Sequence, residues 1–151
     1  MSSMNPLRRL SLQAAAALVA GLALPLRALA AWNKEAFQAK SAADALKSLG
    51  VASSAESKDV VIEAPQIAEN GAVVPIEITS NVPNTKSIAL VIEKNPFPLA
   101  AKFDFAEGAA PYVKVNVKVG ESSFVRVLAE AGGKFYSASK EIKVTIGGCG
   151  G

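Results

Sequence analysis

Beyond residue 59 apolar and polar residues alternate with a period of two through most of the chain, and this pattern admits strands and little else. Val113, Val115, Val117 and Val119 are interleaved with Lys114, Asn116 and Lys118. Successive side chains of a strand point to opposite faces, so this run describes a strand with one buried and one wetted face. Ile142, Val144 and Ile146 alternate with Glu141, Lys143 and Thr145 in the same way, and Val74, Ile76 and Ile78 with Glu77 and Thr79. The run from Ile88 to Ile92 is apolar on both faces, which fits a central strand covered twice. Asn70-Gly71 carries a two-residue hairpin signal. Gly132-Gly133 marks a second hairpin between the run from Phe124 to Ala131 and the run from Lys134. Asn95-Pro96-Phe97-Pro98 breaks the chain, and Phe103 and Phe105 indicate a further short strand.

Ahead of the strands, Trp32 to Leu49 reads as one helix with Trp32, Phe37, Ala45, Leu46 and Leu49 turned inward, ended by Gly50. Six or seven short strands preceded by a helix point to a mainly β fold, an immunoglobulin-like antiparallel β-sandwich, with a partly open barrel as the alternative.

The first 30 residues are read as a leader outside the fold. Arg8-Arg9 precede an apolar stretch from Leu10 to Leu26, and Ala28-Leu29-Ala30 fits the small-x-small rule of secretory cleavage. The paired arginines point to the twin-arginine route, although Ser11 stands where that signal has an apolar or aromatic residue. Residues 1–30 are therefore expected to be removed, leaving a carrier domain at 31–146 and a tail at 147–151 in a periplasmic protein without a membrane anchor. Arg8, Arg9 and Arg27 leave with the leader, so the 16 cationic residues less these three match the 13 acidic ones. A formally neutral chain with interspersed charges has no footprint for nucleic acid or an anionic membrane.

The residue inventory excludes most chemistry. With no histidine, the commonest general base and metal ligand are missing, and so is any triad of the familiar kind. Met1 and Met4 fall in the leader, so Cys149 has no soft partner and a metal site is not expected. Glu63, Glu69, Glu77, Glu93, Asp104 and Glu107 are carboxylates of strand faces and loops, where solvated roles are the rule, and Lys102 and Arg126 are read as surface cations. Gly120 and Gly132-Gly133 lack the strand-to-helix context of a phosphate loop. No cofactor is called for.

What remains is Gly147-Gly148-Cys149-Gly150-Gly151. Glycines have nothing to bury and lose the most entropy on ordering, so this tail reads as a flexible arm that does not dock on the domain. Cys149 stands three residues past Ile146, a reach of about 10 Å at 3.3 to 3.6 Å per residue. Flanking glycines would let a narrow cleft admit backbone and thiol together.

At these residues the chain resembles the SoxY family, the sulfur carriers of the periplasmic thiosulfate-oxidising Sox system, which end in the same Gly-Gly-Cys-Gly-Gly. The paired arginines, the helix beginning Trp32-Asn33-Lys34-Glu35-Ala36-Phe37 and the β body extend the likeness over the whole chain. The resemblance implies that Cys149 holds the substrate covalently and that Gly147, Gly148, Gly150 and Gly151 form the arm. It also implies a heterodimer with a SoxZ-like subunit. A haem-containing enzyme would join thiosulfate to the cysteine, a hydrolase would release sulfate, and a third partner would oxidise the remaining sulfane sulfur. Joining a thiol to thiosulfate removes two electrons, and this chain offers nothing to accept them, so the oxidant belongs to a partner.

Two other classes compete. A structural or adhesive β-sandwich would use Cys149 for an intermolecular disulfide. A thiol enzyme would need a cation or helix N-terminus beside the sulfur to lower its pKa, which a glycine arm does not provide.

Overall fold

In the computed structural model the described residues are 32–145. The segment expected to form one helix is two. Helix α1 (Lys34–Gln38) and helix α2 (Ala42–Ser48) are separated by Ala39, Lys40 and Ser41. The break has a local cause: Ser41 is an N-cap, its Oγ accepting from the Asp44 amide at 3.1 Å and donating to the Asp44 carboxylate at 2.7 Å. Asn33 caps α1 by accepting from the Ala36 amide, and its Nδ2 donates to the Ser48 carbonyl at 2.6 Å, holding the end of α2 against the start of α1. Trp32 precedes α1 rather than lying on it and is 68% exposed, against the inward placement expected for it. Gly50 closes α2 with φ of 78°, a left-handed conformation that suits glycine.

Nine strands follow among the described residues. They are β1 (Ala55–Glu56), β2 (Val60–Glu63), β3 (Ile67–Ala68), β4 (Val74–Ser80), β5 (Thr85–Ile92), β6 (Leu99–Asp104), β7 (Tyr112–Val117), β8 (Ser123–Ala131) and β9 (Lys134–Val144). The larger sheet runs β1-β9-β8-β5-β6, with β3 pairing the far end of β9; the smaller runs β2-β4-β7. Its long neighbours are antiparallel, as expected, whereas the two-residue β1 and β3 run parallel to β9. The architecture is the expected immunoglobulin-like sandwich.

The alternating residues face one another between the sheets. Val74, Ile76 and Ile78 of β4 meet Ile88, Leu90 and Ile92 of β5, Val125 and Val127 of β8, and Ile142 of β9, all fully buried. At roughly 1.5 to 3 kcal/mol for each fully buried aliphatic side chain, this layer is the main source of stability. The other face of β5 carries Ala89 and Val91, which with Leu99 and Leu128 are buried beneath Ala36 and Ala45 of the two helices. The run apolar on both faces is thus a central strand, bonded to β8 and β6 and covered by helices on one side and the smaller sheet on the other.

Gly132 and Gly133 have φ of 58° and 73°, and they turn β8 into β9 as the glycine pair indicated. Asn70-Gly71 does not make a hairpin. It carries the chain from β3, on the larger sheet, to β4, on the smaller one. The Asn70 side chain accepts from the Ala72 amide at 2.9 Å, an Asx turn. The glycine is required by proximity instead of by φ: a Cβ there would lie 2.4 Å from the Val119 carbonyl oxygen and 2.9 Å from Val144 Cγ1.

Candidate functional site: the root of the C-terminal tail

Cys149 and its neighbours Gly147, Gly148, Gly150 and Gly151 lie outside the described residues, as do Ile146 and the leader. What the structure establishes is the platform from which they continue. Strand β9 is held on both sides up to its last residues. On the β3 side Lys143 donates its amide to the Gln66 carbonyl at 2.9 Å and Thr145 to the Ala68 carbonyl at 3.1 Å. Across from β3, Ser122 Oγ accepts from the Val144 amide at 2.9 Å. Beneath it, Gly71 packs on the Val144 side chain while its carbonyl accepts from the Val119 amide at 2.7 Å.

The neighbouring turns are fastened to this platform by Asn95. Its Oδ1 accepts from the Gly120 amide at 3.0 Å and its Nδ2 donates to the Lys118 carbonyl at 2.8 Å, tying the β5–β6 turn to the β7–β8 turn. Read in the sequence, Asn95 was only part of a chain break, and Gly71 only a hairpin residue. An Asn beside turn prolines was the available signal for a tether; nothing in the local sequence tells which segment it bonds.

Of the carboxylates considered as catalytic, Glu63 and Glu77 stand opposite each other on β2 and β4, but Glu77 is engaged by cationic and hydroxyl partners. Glu77 accepts from Lys114 at 2.6 Å and from the Tyr112 hydroxyl at 2.7 Å on the outer face of the smaller sheet. Lys114, then Tyr112, hold its carboxyl below the usual value, and Glu77 in turn raises the pKa of both partners. Glu93 pairs with Arg126 at 2.6 Å, and Asp104 pairs with Lys102. Among the described residues no group of three or more acidic, Cys or His side chains could hold a metal ion, and no helix is long and apolar enough to cross a membrane.

A cleft of about 790 Å³ lies at the opposite end of the sandwich, between segments 80–86 and 105–111. Among the described residues Lys86 and Glu107 are its charged lining residues, and the Ser80 and Thr85 hydroxyls in it are bonded to each other.

The fold and the platform define a class: immunoglobulin-like sandwiches in which β9 is held by its neighbours as far as Thr145. The model of the family described as "Sulfur oxidation protein SoxY" matches residues 46–149, more than half the chain. The chain therefore belongs to the SoxY family of sulfur oxidation proteins. Among solved structures, the sulfur carrier protein SoxY from Chlorobium limicola f thiosulfatophilum is 34% identical, with a TM-score of 0.61, covering 69% of this chain and 96% of that one. A superoxide reductase (neelaredoxin) from Ignicoccus hospitalis is 21% identical with a TM-score of 0.50, covering 57% of this chain and 79% of that one, and shares the fold alone. No curated protein sequence matches.

Proposed function

We propose that the chain is a carrier rather than an enzyme, holding sulfur intermediates of thiosulfate oxidation covalently on Cys149 and presenting them to partner enzymes. The observation that carries this reading is the extent of the family match, which runs to residue 149, the cysteine itself. In the step that loads the arm, the Cys149 thiolate and the terminal sulfur of thiosulfate form a disulfide bond, and two electrons leave to a haem-containing partner. Water then cleaves the S-thiosulfonate in a hydrolase, releasing sulfate and two protons and leaving a persulfide on Cys149. A third partner oxidises that sulfane sulfur. The anchoring of β9 through Thr145 suits this cycle, since a tethered substrate is delivered to a defined place only when its root is fixed.

In this reading residues 1–30 direct export to the periplasm and are removed after Ala30, residues 31–146 form the carrier domain, and residues 147–151 are the arm. A SoxZ-like subunit completes a heterodimer, and the carrier itself needs no cofactor. The test is intact mass of protein purified without reductant. Adducts of sulfur or thiosulfate on Cys149 that thiol reductant removes, and loss of thiosulfate-dependent oxidation in Cys149→Ser with the heterodimer intact, are expected. Full turnover by the Ser variant would sink the proposal and return the adhesive sandwich with an intermolecular disulfide.

A further inference from the structure

Beyond Trp32, five large apolar or aromatic side chains are exposed among the described residues: Ile67, Val73, Phe97, Tyr112 and Phe124, each between 48% and 57%. Tyr112 pairs with Thr79 toward the cleft end, and its hydroxyl is engaged by Glu77. The other four share the end at which β9 finishes. Ile67 stands opposite Lys143 on one side of β9, and Phe124 opposite Glu141 on the other. Val73 immediately precedes β4, two residues after the Gly71 that packs on Val144. Phe97 lies in the turn from β5 to β6, with the Lys40 ammonium 3.7 Å from its ring centroid.

Single exposed apolar residues are ordinary, but their grouping around one end marks a contact surface. The length of the chain beyond that end says what covers it. Cys149 is four residues past Thr145, so it reaches at most about 14 Å from the end of the anchored strand. Ile67 is level with a residue about 7 Å back along β9, and Phe124 with one about 13 Å back. An enzyme that draws the thiol into a cleft must bring the rim of that cleft within the arm's length, and such a rim overlies these side chains.

We propose that Ile67, Val73, Phe97 and Phe124 form an apolar collar on which an arm-processing enzyme docks, its cleft mouth lined by complementary apolar side chains. The proposal rests on Cys149 carrying the sulfur. The collar makes the encounter productive by burying apolar area around the entrance, while the arm itself contributes almost none.

The test uses the mature chain in complex with its SoxZ-like subunit, charged without any enzyme. The Cys149 thiolate attacks a central sulfur of tetrathionate, thiosulfate leaves, and an S-thiosulfonate remains on the arm, so no outside oxidant is needed. Sulfate release by the Sox hydrolase is then followed against carrier concentration for wild type, Ile67→Asp, Phe124→Asp and the conservative Ile67→Val and Phe124→Leu. The aspartates are expected to raise KM about tenfold or more, a loss of the size found at central interface residues. kcat and the rate of charging by tetrathionate should be unchanged, and the conservative variants should behave as wild type. Phe97→Asp, on a separate turn, repeats the measurement if a strand variant folds poorly. Unchanged KM in the aspartate variants would overturn the proposal. Loss of the SoxZ-like subunit on size exclusion would overturn it as well, assigning the face to the stable partner, as would conversion of a self-associated form to single copies with KM unaltered. If charged wild type releases no sulfate at any concentration, the carrier reading itself falls and this proposal with it.

Discussion

The two ends of the sandwich are closed by different means. At the end where β9 finishes, bonds run between segments far apart in the chain: Asn95 to Lys118 and Gly120, Ser122 to Val144, Val119 to Gly71, and Thr145 to Ala68. At the opposite end the side-chain bonds of the cleft-lining segment 80–86 are local. Ser80 Oγ meets Thr85 Oγ1 at 2.7 Å and accepts from the Val82 amide, and Thr85 donates to the Val82 carbonyl at 2.7 Å. Backbone bonds from Ser80 to Pro111, Asn81 to Asp59 and Phe105 to Lys86, with the side-chain bond from Ser87 to Glu130, are the longer-range ties there, and an open cleft remains. Cross-ties fix the relative position of strands, whereas local turns fix only themselves. The turns at the tail end are cross-tied by side chains, and the turns lining the cleft are not.

The most severe way to break that contrast is Gly71→Ala. The added Cβ would meet backbone oxygen of Val119, which cannot swing aside as a side chain can. Overpacking costs roughly 1 to 3 kcal/mol, and loss of the Val119–Gly71 hydrogen bond adds about 1 kcal/mol. A stability decrease of about 2 to 4 kcal/mol in urea unfolding is expected, together with faster proteolysis after Val144. A decrease well under 1 kcal/mol would show that the strand end yields easily.

Asn95→Ala tests the same end more gently. It removes one donor and one acceptor at an exposed site, so about 1 to 2 kcal/mol should be lost. Hydrogen exchange at the Gly120 amide should quicken in particular. Unaltered exchange there would mean that the tether is a static feature without thermodynamic weight.

These two residues also show where the sequence stops being readable. The alternation at Val113 to Val119 and at Val74 to Ile78 named the buried face correctly, because a strand's period is a property of the strand alone. Ile88 to Ile92 disclosed a doubly covered strand for the same reason. Asn70-Gly71 looked like a hairpin because the dipeptide records a change of direction, not which sheet receives the next strand. Its glycine answers to Val119 and Val144, residues 48 and 73 positions away, and no local pattern carries that contact. The split between α1 and α2 was present in Ser41-x-x-Asp44, but the apolar spacing on either side masked it. The expectation for Cys149 took a different route, from composition and elimination, and it concerns residues outside the described ones.

At the cleft end Gly108→Ala should cost less than Gly71→Ala and no more than Asn95→Ala. Gly108 has φ of 80°, and nothing lies within 4 Å of the position a Cβ would take. Only the left-handed backbone is penalised, by about 1 to 2 kcal/mol. The urea midpoint should fall by less than for Gly71→Ala, with charging of Cys149 by tetrathionate unchanged. A larger loss than at Gly71 would invert the contrast between the ends.

The smallest effect is expected from the exposed cluster of Glu77, Lys114 and Tyr112, away from both the tail and its ties. The Lys114 hydrogen bond is the main influence lowering the Glu77 pKa, with the Tyr112 hydroxyl second. The folded protein therefore releases the Glu77 proton more readily than the unfolded chain, whose value is 4.5. The linked stabilisation is present above pH 4.5 and is lost as pH falls through the lower folded value. The partners behave oppositely: their folded values are raised, so their contribution holds below the ordinary values of 10.0 for Tyr112 and 10.5 for Lys114 and is lost as pH rises beyond them. Solvent screens this cluster, so the change should be a slight flattening of the acid limb of the stability curve. Lys114→Met should flatten it more than Tyr112→Phe, following the order of the two hydrogen bonds, and titration of the Glu77 carboxyl by NMR should show its midpoint moving back toward 4.5 in the same order. Neither change should alter the charging of Cys149 by tetrathionate. A midpoint that stays put in Lys114→Met would mean that the ion pair is not maintained in solution, and an altered charging rate would tie this face to the tail and erase the separation between them.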